Sequence, residues 1–215
     1  DLLKFKKNAE KNKVTIYTAY NHRFEPNIKK MRDLIKSEKL GRIFNARLFY
    51  GNGTAKLVKN SYWRDKQEGV LHDLGSHLLD MINFWFGVEK RNFRVVSANK
   101  FENKAFDHVI LHSDNKIDVT LEMSLLCWKN SFYVDIFGEK GSAHIRSLCK
   151  WGPSYFKFNK RKYPSGIPDQ MTDILVRSDP TWKDEYRYFK KMCSLSINNL
   201  SNDIHIFKTL NSLKN

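Results

Sequence analysis

The stretch GVLHDLGSHLLDMINFWFG, residues 69–87, carries the most informative pattern of apolar and polar side chains in this sequence. On a helix with 3.6 residues per turn, most of its apolar side chains fall on one wide stripe. These residues are Leu71, Leu74, Leu78, Met81, Ile82 and Trp85. Asp73, His77 and Asp80 fall on a separate, narrow stripe. We therefore predict an amphipathic helix that packs its apolar face into a core and holds two carboxylates and an imidazole on its polar face.

The polar stripe has a chemical and a structural interpretation. The carboxylate of Asp73, four residues before His77, can orient the imidazole and stabilise its charged form, as in a general acid–base pair. The same spacing also adds a few tenths of a kcal/mol to an ordinary helix surface. Gly75, between these two residues, lowers the stability of the helix by about 1 kcal/mol relative to alanine. A glycine at this position therefore indicates a close approach by backbone, ligand or a packed neighbour.

A long polar segment, residues 51–68, precedes this helix. Loops of this length are usually functional or mobile. Trp63 and Arg64 near its end can supply a flat apolar wall and a fixed cation next to the polar stripe. His72 and His77 do not share a helix face and the H-E-x-x-H spacing is absent, so we expect no metal site.

The remaining elements are predicted from propensity, caps and turn signals. We predict helices over 1–12, 27–38, 69–86, 180–195 and 202–213, strands over 14–20, 43–50, 93–100, 107–113, 116–126, 132–138 and 142–147, and irregular structure over 150–178. Consecutive strands joined by short turns imply antiparallel pairing. The expected fold class is α+β: an open, mainly antiparallel sheet faced by helices, preceded by a short αβ segment.

Composition narrows the possible classes of protein. With 215 residues and 41% hydrophobic side chains, the chain can bury a core. The sequence contains no run of about 18 uncharged apolar residues, so no membrane-spanning helix is predicted. Cys127, Cys149 and Cys193 are far apart and form no C-x-x-C pair, which favours reduced thiols in a cytoplasmic protein. The net charge of +15 is spread along the whole chain, so nucleic acid is not the expected partner.

Five segments, in order, resemble the glucose–fructose oxidoreductase / inositol dehydrogenase / MocA (Gfo/Idh/MocA) family. They are YNHRFEP (20–26), LGRI (40–43), YWR (62–64), the opening stretch (69–87) and IFGEKGS (136–142). The similarity is clear from residue 14 to about residue 146 and weaker to the end. The D-x-G-x-H-x-x-D core together with the upstream Y-N-x-R-F segment is a fairly specific combination.

The resemblance implies the C-terminal α+β domain of an NAD(P)-dependent oxidoreductase that acts on a sugar, polyol or nucleotide sugar. Residues 1–21 would then be a remnant of the Rossmann domain, and residues 22–200 the substrate and oligomerisation domain. Residues 201–215 would form a C-terminal helix that packs back on the N-terminal part. The family's G-x-G-x-x-G fingerprint and E-K-P lysine lie upstream of Asp1. We therefore expect a fragment that does not transfer hydride efficiently by itself.

The resemblance also assigns roles to single residues. His77 would exchange the proton of the substrate hydroxyl, and Asp73 would orient His77 or contact the substrate. The other candidates near substrate or cofactor are Trp63, Arg64, Asn21 and Tyr20. Arg23 and Asp80 are implied to be structural.

Two other functions remain open from the sequence. The same fold could serve as a non-catalytic module for oligomerisation or sugar binding, because an open sheet face is a natural self-association surface. A basic nucleic-acid binder would instead show steeply salt-dependent affinity. The favoured hypothesis has a sugar or nucleotide sugar as the partner of the protein. It also predicts a homo-oligomer that forms through the sheet face, and no contact with a membrane. The same hypothesis implies NAD or NADP as the cofactor, and the sequence does not distinguish between the two.

Overall fold

A single eight-stranded sheet organises the computed structural model, which describes residues 2–66 and 68–213. The strands are β1 (Ile43–Gly51), β2 (Arg94–Asn99), β3 (His108–Asp114), β4 (Asp118–Ser124), β5 (Ser131–Gly138), β6 (Gly141–Arg146), β7 (Ser154–Lys160) and β8 (Asp169–Leu175). The helices are α1 (Leu2–Asn12), α2 (Pro26–Lys36), α3 (Ala55–Val58), α4 (Val70–Phe86), α5 (Thr181–Ser194) and α6 (Leu200–Ser212). Short 3₁₀ turns cover Asn21–Phe24 and Cys149–Trp151.

The order of strands across the sheet is β2-β3-β4-β1-β5-β6-β7-β8. Only β1 and β4 run parallel to each other, and every other neighbouring pair is antiparallel. Side chains on β3, β4 and β5 alternate between buried and more exposed positions, as expected when one face of a sheet packs on a core. The predicted α+β class with an open, mainly antiparallel sheet is confirmed.

Helix α4 lies on the covered face of the sheet, and all six residues of its predicted apolar stripe are buried. A Cβ atom at Gly75 would lie 2.9 Å from Sδ of Met123 on β4, so the missing side chain allows helix and sheet to approach closely. The indole Nε1 of Trp85 donates to the carbonyl oxygen of Ile28, 3.1 Å away, and ties α4 to α2. These contacts hold the polar stripe in a fixed position.

Residues 14–20 form neither a helix nor a strand, so the strand predicted there was wrong. β-branched and aromatic side chains favour extended backbone, but a strand also needs a neighbouring strand to pair with. Within the described residues, this segment bonds instead to the region where α6 begins. The amide of Thr18 donates to Oδ1 of Asn199 at 3.0 Å, and the amide of Asn199 donates to the carbonyl of Ile16 at 3.4 Å.

The prediction of irregular structure over 150–178 was also wrong, because this region contains β7 and β8. Pro153 lies immediately before β7, and Pro164 and Pro168 lie in the connection between the two strands. Strand β8 forms the edge of the sheet, and most of its side chains are exposed. An edge strand with no buried face shows no apolar alternation, and the sequence pattern therefore hid it.

The two C-terminal helices begin close to their predicted positions. Helix α5 begins at Thr181, whose amide donates to Oδ1 of Asp179 at 2.9 Å. Helix α6 begins at Leu200, two residues before the predicted start at residue 202, and the Ser201 hydroxyl in its first turn accepts from Nζ of Lys6 at 2.9 Å. Helix α6 packs on α1 and α4. Over 2–66 and 68–213, no helix combines the length and hydropathy needed to cross a bilayer.

Gly69, the residue immediately before α4, is expected to tolerate no side chain. Its φ of +49° is unfavourable for L-residues, and an added Cβ would overlap the backbone carbonyl oxygen of Phe106. We expect Gly69→Ala to lower the free energy of unfolding by at least about 2 kcal/mol in urea titrations. Gly87→Ala is the matched control, because its φ is +84° with no atom within 4 Å of the added Cβ. Equal losses in the two variants would show that the contact with Phe106 has no role.

Candidate functional site

His77 lies at the centre of a cluster of rings on the polar side of α4. The ring centroid of His22 is 4.6 Å away, and those of Tyr20 and Tyr50 are 6.0 and 6.2 Å away with edge-on geometry. Its Nδ1 is buried and has no hydrogen-bond partner among the described residues. Burial lowers the pKa of His77 to about 4, against the opposing effect of the Asp73 carboxylate. The imidazole is therefore neutral at pH 7 and able to accept a proton.

Asp73 is held by Arg64. Oδ2 of Asp73 accepts from Nε of Arg64 at 2.8 Å and forms an ion pair with its Nη2 at 2.6 Å. The described hydrogen bonds of the Asp73 carboxylate include none to His77. The Arg64 guanidinium lies 5.5 Å from the ring centroid of Trp63, which is 53% exposed. The loop and the helix thus bring together a cation, a carboxylate and an accessible aromatic wall on the side of Asp73.

Tyr20 and Asn21 are anchored to the C-terminal helices. The Tyr20 hydroxyl donates to Oδ1 of Asp203 at 3.1 Å, and Nδ2 of Asn21 donates to Oγ1 of Thr181 at 3.1 Å. Both residues are buried. The Tyr20 ring lies nearly perpendicular to that of His77, at an interplanar angle of 89°, whereas Asn21 is directed to the start of α5.

Two further residues of the cluster, His22 and Lys150, were not predicted from the sequence. Nζ of Lys150, on the second 3₁₀ turn, lies 2.9 Å from Nε2 of His22. Burial lowers the pKa of both groups, and His77 and Lys150 further lower that of His22. His22 occupies the unspecified position of the Y-N-x-R-F segment, which could have marked it. Lys150 lies in a region predicted to be irregular, and no local pattern points to it.

Asp80 shares the helix stripe but not the site. Its carboxylate is 1% exposed and accepts from Nε and Nη2 of Arg23 at 2.7 and 2.5 Å. Nδ2 of Asn202 on α6 donates to it at 2.8 Å. Burial raises the pKa of Asp80 and the bonds from Arg23 oppose this rise. These contacts agree with a structural role for both Arg23 and Asp80.

A neighbouring cavity of about 380 Å³ shares Tyr20 with the site but is lined by neither His77 nor Asp73. The hydroxyl of Tyr17 and the guanidinium of Arg23, which line it, are already bonded to Glu185 and to Asp80. Across the described parts of the chain, no group of three histidine, cysteine or carboxylate side chains is arranged to hold a metal ion. The cluster around His77 is therefore the stronger candidate for proton chemistry.

The neutral state of His77 predicts acid-sensitive stability. Its pKa is about 4 in the folded chain and about 6.5 when unfolded, so the unfolded state binds more protons between these values. Stability is fully present above pH 6.5 and falls with pH, by about 2 kcal/mol at pH 5 and about 3 at pH 4. Urea titrations from pH 7 to pH 4 measure this slope. His77→Gln is expected to flatten it, and an unchanged slope in that variant would contradict the assignment.

Comparisons with known proteins agree with the fold. Residues 28–144, more than half of the chain, match the family described as "GFO/IDH/MocA C-terminal domain". Over 86 residues the chain is 31% identical to the glucose-6-phosphate 3-dehydrogenase of Bacillus subtilis (strain 168). This match covers 38% of the chain and 25% of that relative.

Solved structures extend the similarity over almost the whole chain. Levoglucosan dehydrogenase in complex with NADH and levoglucosan is 15% identical, with a TM-score of 0.73, over 93% of this chain and 65% of that one. An NAD binding oxidoreductase from Klebsiella pneumoniae is 14% identical, with a TM-score of 0.78, over 99% and 66%. At these identities the similarity shows the fold alone. The chain spans less than two thirds of these proteins.

Proposed function

The chain belongs to the GFO/IDH/MocA C-terminal domain family, and we propose that it is the substrate side of an NAD(P)-dependent oxidoreductase acting on a sugar, polyol or nucleotide sugar. The observation that carries the proposal is the partly buried, neutral imidazole of His77 on a rigid helix among aromatic rings. A group of this kind can act as a base at neutral pH. Two similar proteins, named for dehydrogenation of glucose 6-phosphate and levoglucosan, support a sugar as substrate.

In this proposal His77 takes the hydroxyl proton while the carbon–hydrogen bond breaks and the alcohol becomes a carbonyl. When bound, NAD(P)⁺ supplies the hydride acceptor. In the reverse direction the protonated ring of His77 returns its proton to the carbonyl oxygen. Because Arg64 holds Asp73 in place, that carboxylate can stabilise the imidazolium through space from the preceding helical turn. A neutral resting ring suits proton uptake during alcohol oxidation, whereas carbonyl reduction first requires protonation of the ring, which a pKa of about 4 makes rare at pH 7.

The described residues fit one part of the dinucleotide. The exposed ring of Trp63, backed by Arg64, could face the nicotinamide. The sequence has no G-x-G-x-x-G turn between a strand and a helix to seat the pyrophosphate. The proposal therefore includes a separate dinucleotide-binding domain that meets this chain near residues 14–24. Tyr20 and Asn21, fixed by α5 and α6, would position that junction.

The open face of the sheet is the proposed site of self-association. Phe49 and Tyr133 stack there at 4.7 Å between ring centroids, and Phe44, Phe137 and Tyr155 are 37–41% exposed. Large apolar side chains on an accessible sheet face are typical of subunit interfaces. We also propose a cytoplasmic location, which the free thiols of the three cysteines support.

Turnover assays of the complete protein test the proposal. Each of NAD⁺ and NADP⁺ would be combined with glucose, glucose 6-phosphate, myo-inositol and a nucleotide sugar, and reduced nicotinamide would be followed by absorbance. We expect turnover with at least one pair. Sugar binding without turnover, and without binding of either reduced cofactor, would favour a non-catalytic module. Salt-sensitive binding of DNA or RNA without any sugar binding would favour a nucleic-acid binder.

A further inference from the structure

Lys150 places a positive charge beside the proposed site. Its Nζ lies 2.9 Å from Nε2 of His22, whose ring is 4.6 Å from that of His77. Because an ammonium group can only donate, Nε2 of His22 accepts and the neutral His22 ring carries its proton on Nδ1. The Lys150 Nζ also lies 4.9 Å from the ring centroid of Trp151, and Trp151 approaches Tyr50 at 5.9 Å. The charge therefore faces the same ring cluster as His77.

In the described part of the chain, the closest partner of this charge is a neutral ring. Within residues 2–66 and 68–213, no carboxylate oxygen forms an ion pair with Nζ of Lys150, although Asp179 and Glu25 act on it from further away. The Glu25 carboxylate is already occupied by the amides of Asn27, Ile28 and Cys149. By contrast, Arg64 is paired with Asp73 and Arg23 with Asp80. Lys150 thus differs from these two arginines, because its close partner is the neutral imidazole of His22 and not a carboxylate.

A partly buried cation without a counter-ion is costly, and an anion from outside the chain would offset that cost. We propose that Lys150, held by His22, binds an anionic group on the sugar substrate, either a phosphate ester or a carboxylate. This inference rests on the proposed function and narrows its substrate class to anionic sugars. Aromatic walls with a few fixed polar groups are typical of small-molecule sites, and lysine is a common phosphate ligand.

The first experiment uses inorganic phosphate as the probe and needs no turnover. Histidine side-chain NMR signals of the protein would be recorded during a phosphate titration at constant ionic strength and pH 7. We expect a saturable shift of the His22 signal in the wild type and in Lys150→Arg. We expect its loss in Lys150→Met, and no loss in Lys36→Met, a matched change at an exposed lysine on α2. No saturable shift in the wild type, or an equal shift in Lys150→Met, would overturn the proposal.

The second experiment distinguishes the two sources of the anion. Glucose 6-phosphate, glucuronate and glucose would be titrated calorimetrically into the complete protein. We expect one of the two anionic sugars to bind at least tenfold more tightly than glucose, and Lys150→Met to remove that difference without weakening the binding of glucose. Equal affinities of all three sugars for the wild type would contradict the assignment. Because binding is measured, absence of dehydrogenase activity would refute the proposed function without deciding the role of Lys150.

Discussion

Replacing His77 by alanine in the complete protein is expected to lower kcat by about 10²–10⁴-fold, the usual contribution of a general acid or base. The physical reason is the position of His77. It is a neutral imidazole, fixed on α4 and surrounded by Tyr20, His22 and Tyr50. A neutral ring can take the substrate proton at once, and the loss of the ring leaves that proton to water. Steady-state kinetics with the best sugar and cofactor pair measure the effect.

Two further variants separate chemistry from folding. His77→Gln keeps a polar side chain of similar size but cannot exchange a proton at neutral pH, so it should lose as much turnover as alanine. His112→Ala removes a histidine on the open sheet face, where its Nδ1 bonds to the hydroxyl of Thr120, and should leave kcat unchanged. Wild-type kcat in a folded His77→Gln variant would refute the role assigned to His77.

The pH dependence of turnover gives an independent check. Since the pKa of His77 is about 4, the ring stays neutral over the whole range from pH 5 to pH 8. The rate of alcohol oxidation should therefore show no acid-side loss near pH 6.5, where an exposed histidine would titrate. A loss near pH 6.5 that disappears in His77→Gln would mean that the site does not desolvate the ring as the structure describes.

Breaking the buried ion pair between Arg23 and Asp80 is expected to cause the largest loss of stability. Arg23→Met leaves the carboxylate of Asp80, which is 1% exposed, without its two guanidinium donors. One amide donor, from Asn202, remains. Removing one partner of a buried pair typically costs about 3–5 kcal/mol. Urea titrations at pH 7 measure the change in the free energy of unfolding.

The control is a surface ion pair on a neighbouring element. Lys29 and Asp184 are 43% and 32% exposed, so Lys29→Met should cost no more than about 1 kcal/mol. Because burial raises the pKa of Asp80, the unpaired carboxylate in Arg23→Met takes up a proton more readily in the folded than in the unfolded chain. The deficit of this variant relative to the wild type should therefore shrink as pH falls. Equal losses of unfolding free energy in the two variants at pH 7 would show that the buried pair stabilises the fold no more than a surface ion pair does.

The amphipathic helix could be predicted from the sequence because helical periodicity is a local property. The apolar side chains around Leu74 and Leu78 recur at helical spacing, and this spacing alone places Asp73 and His77 on one face. The antiparallel strands from β3 to β6 could also be predicted, because their turns and their alternation of buried and exposed side chains depend on residues that are close in the sequence. The family resemblance rests on the same local segments.

Pairing and charge compensation were decided by tertiary structure. Whether residues 14–20 form a strand depends on a neighbour to pair with, and the edge strand β8 exists because β7 lies beside it. Asp73 pairs with Arg64, and Asp80 with Arg23, over separations that no helical spacing encodes. His22 and Lys150 are 128 positions apart, yet their side chains meet next to His77. Local patterns determine which face a side chain occupies, but burial and partners depend on which distant elements pack there, and these set the charge state of the site.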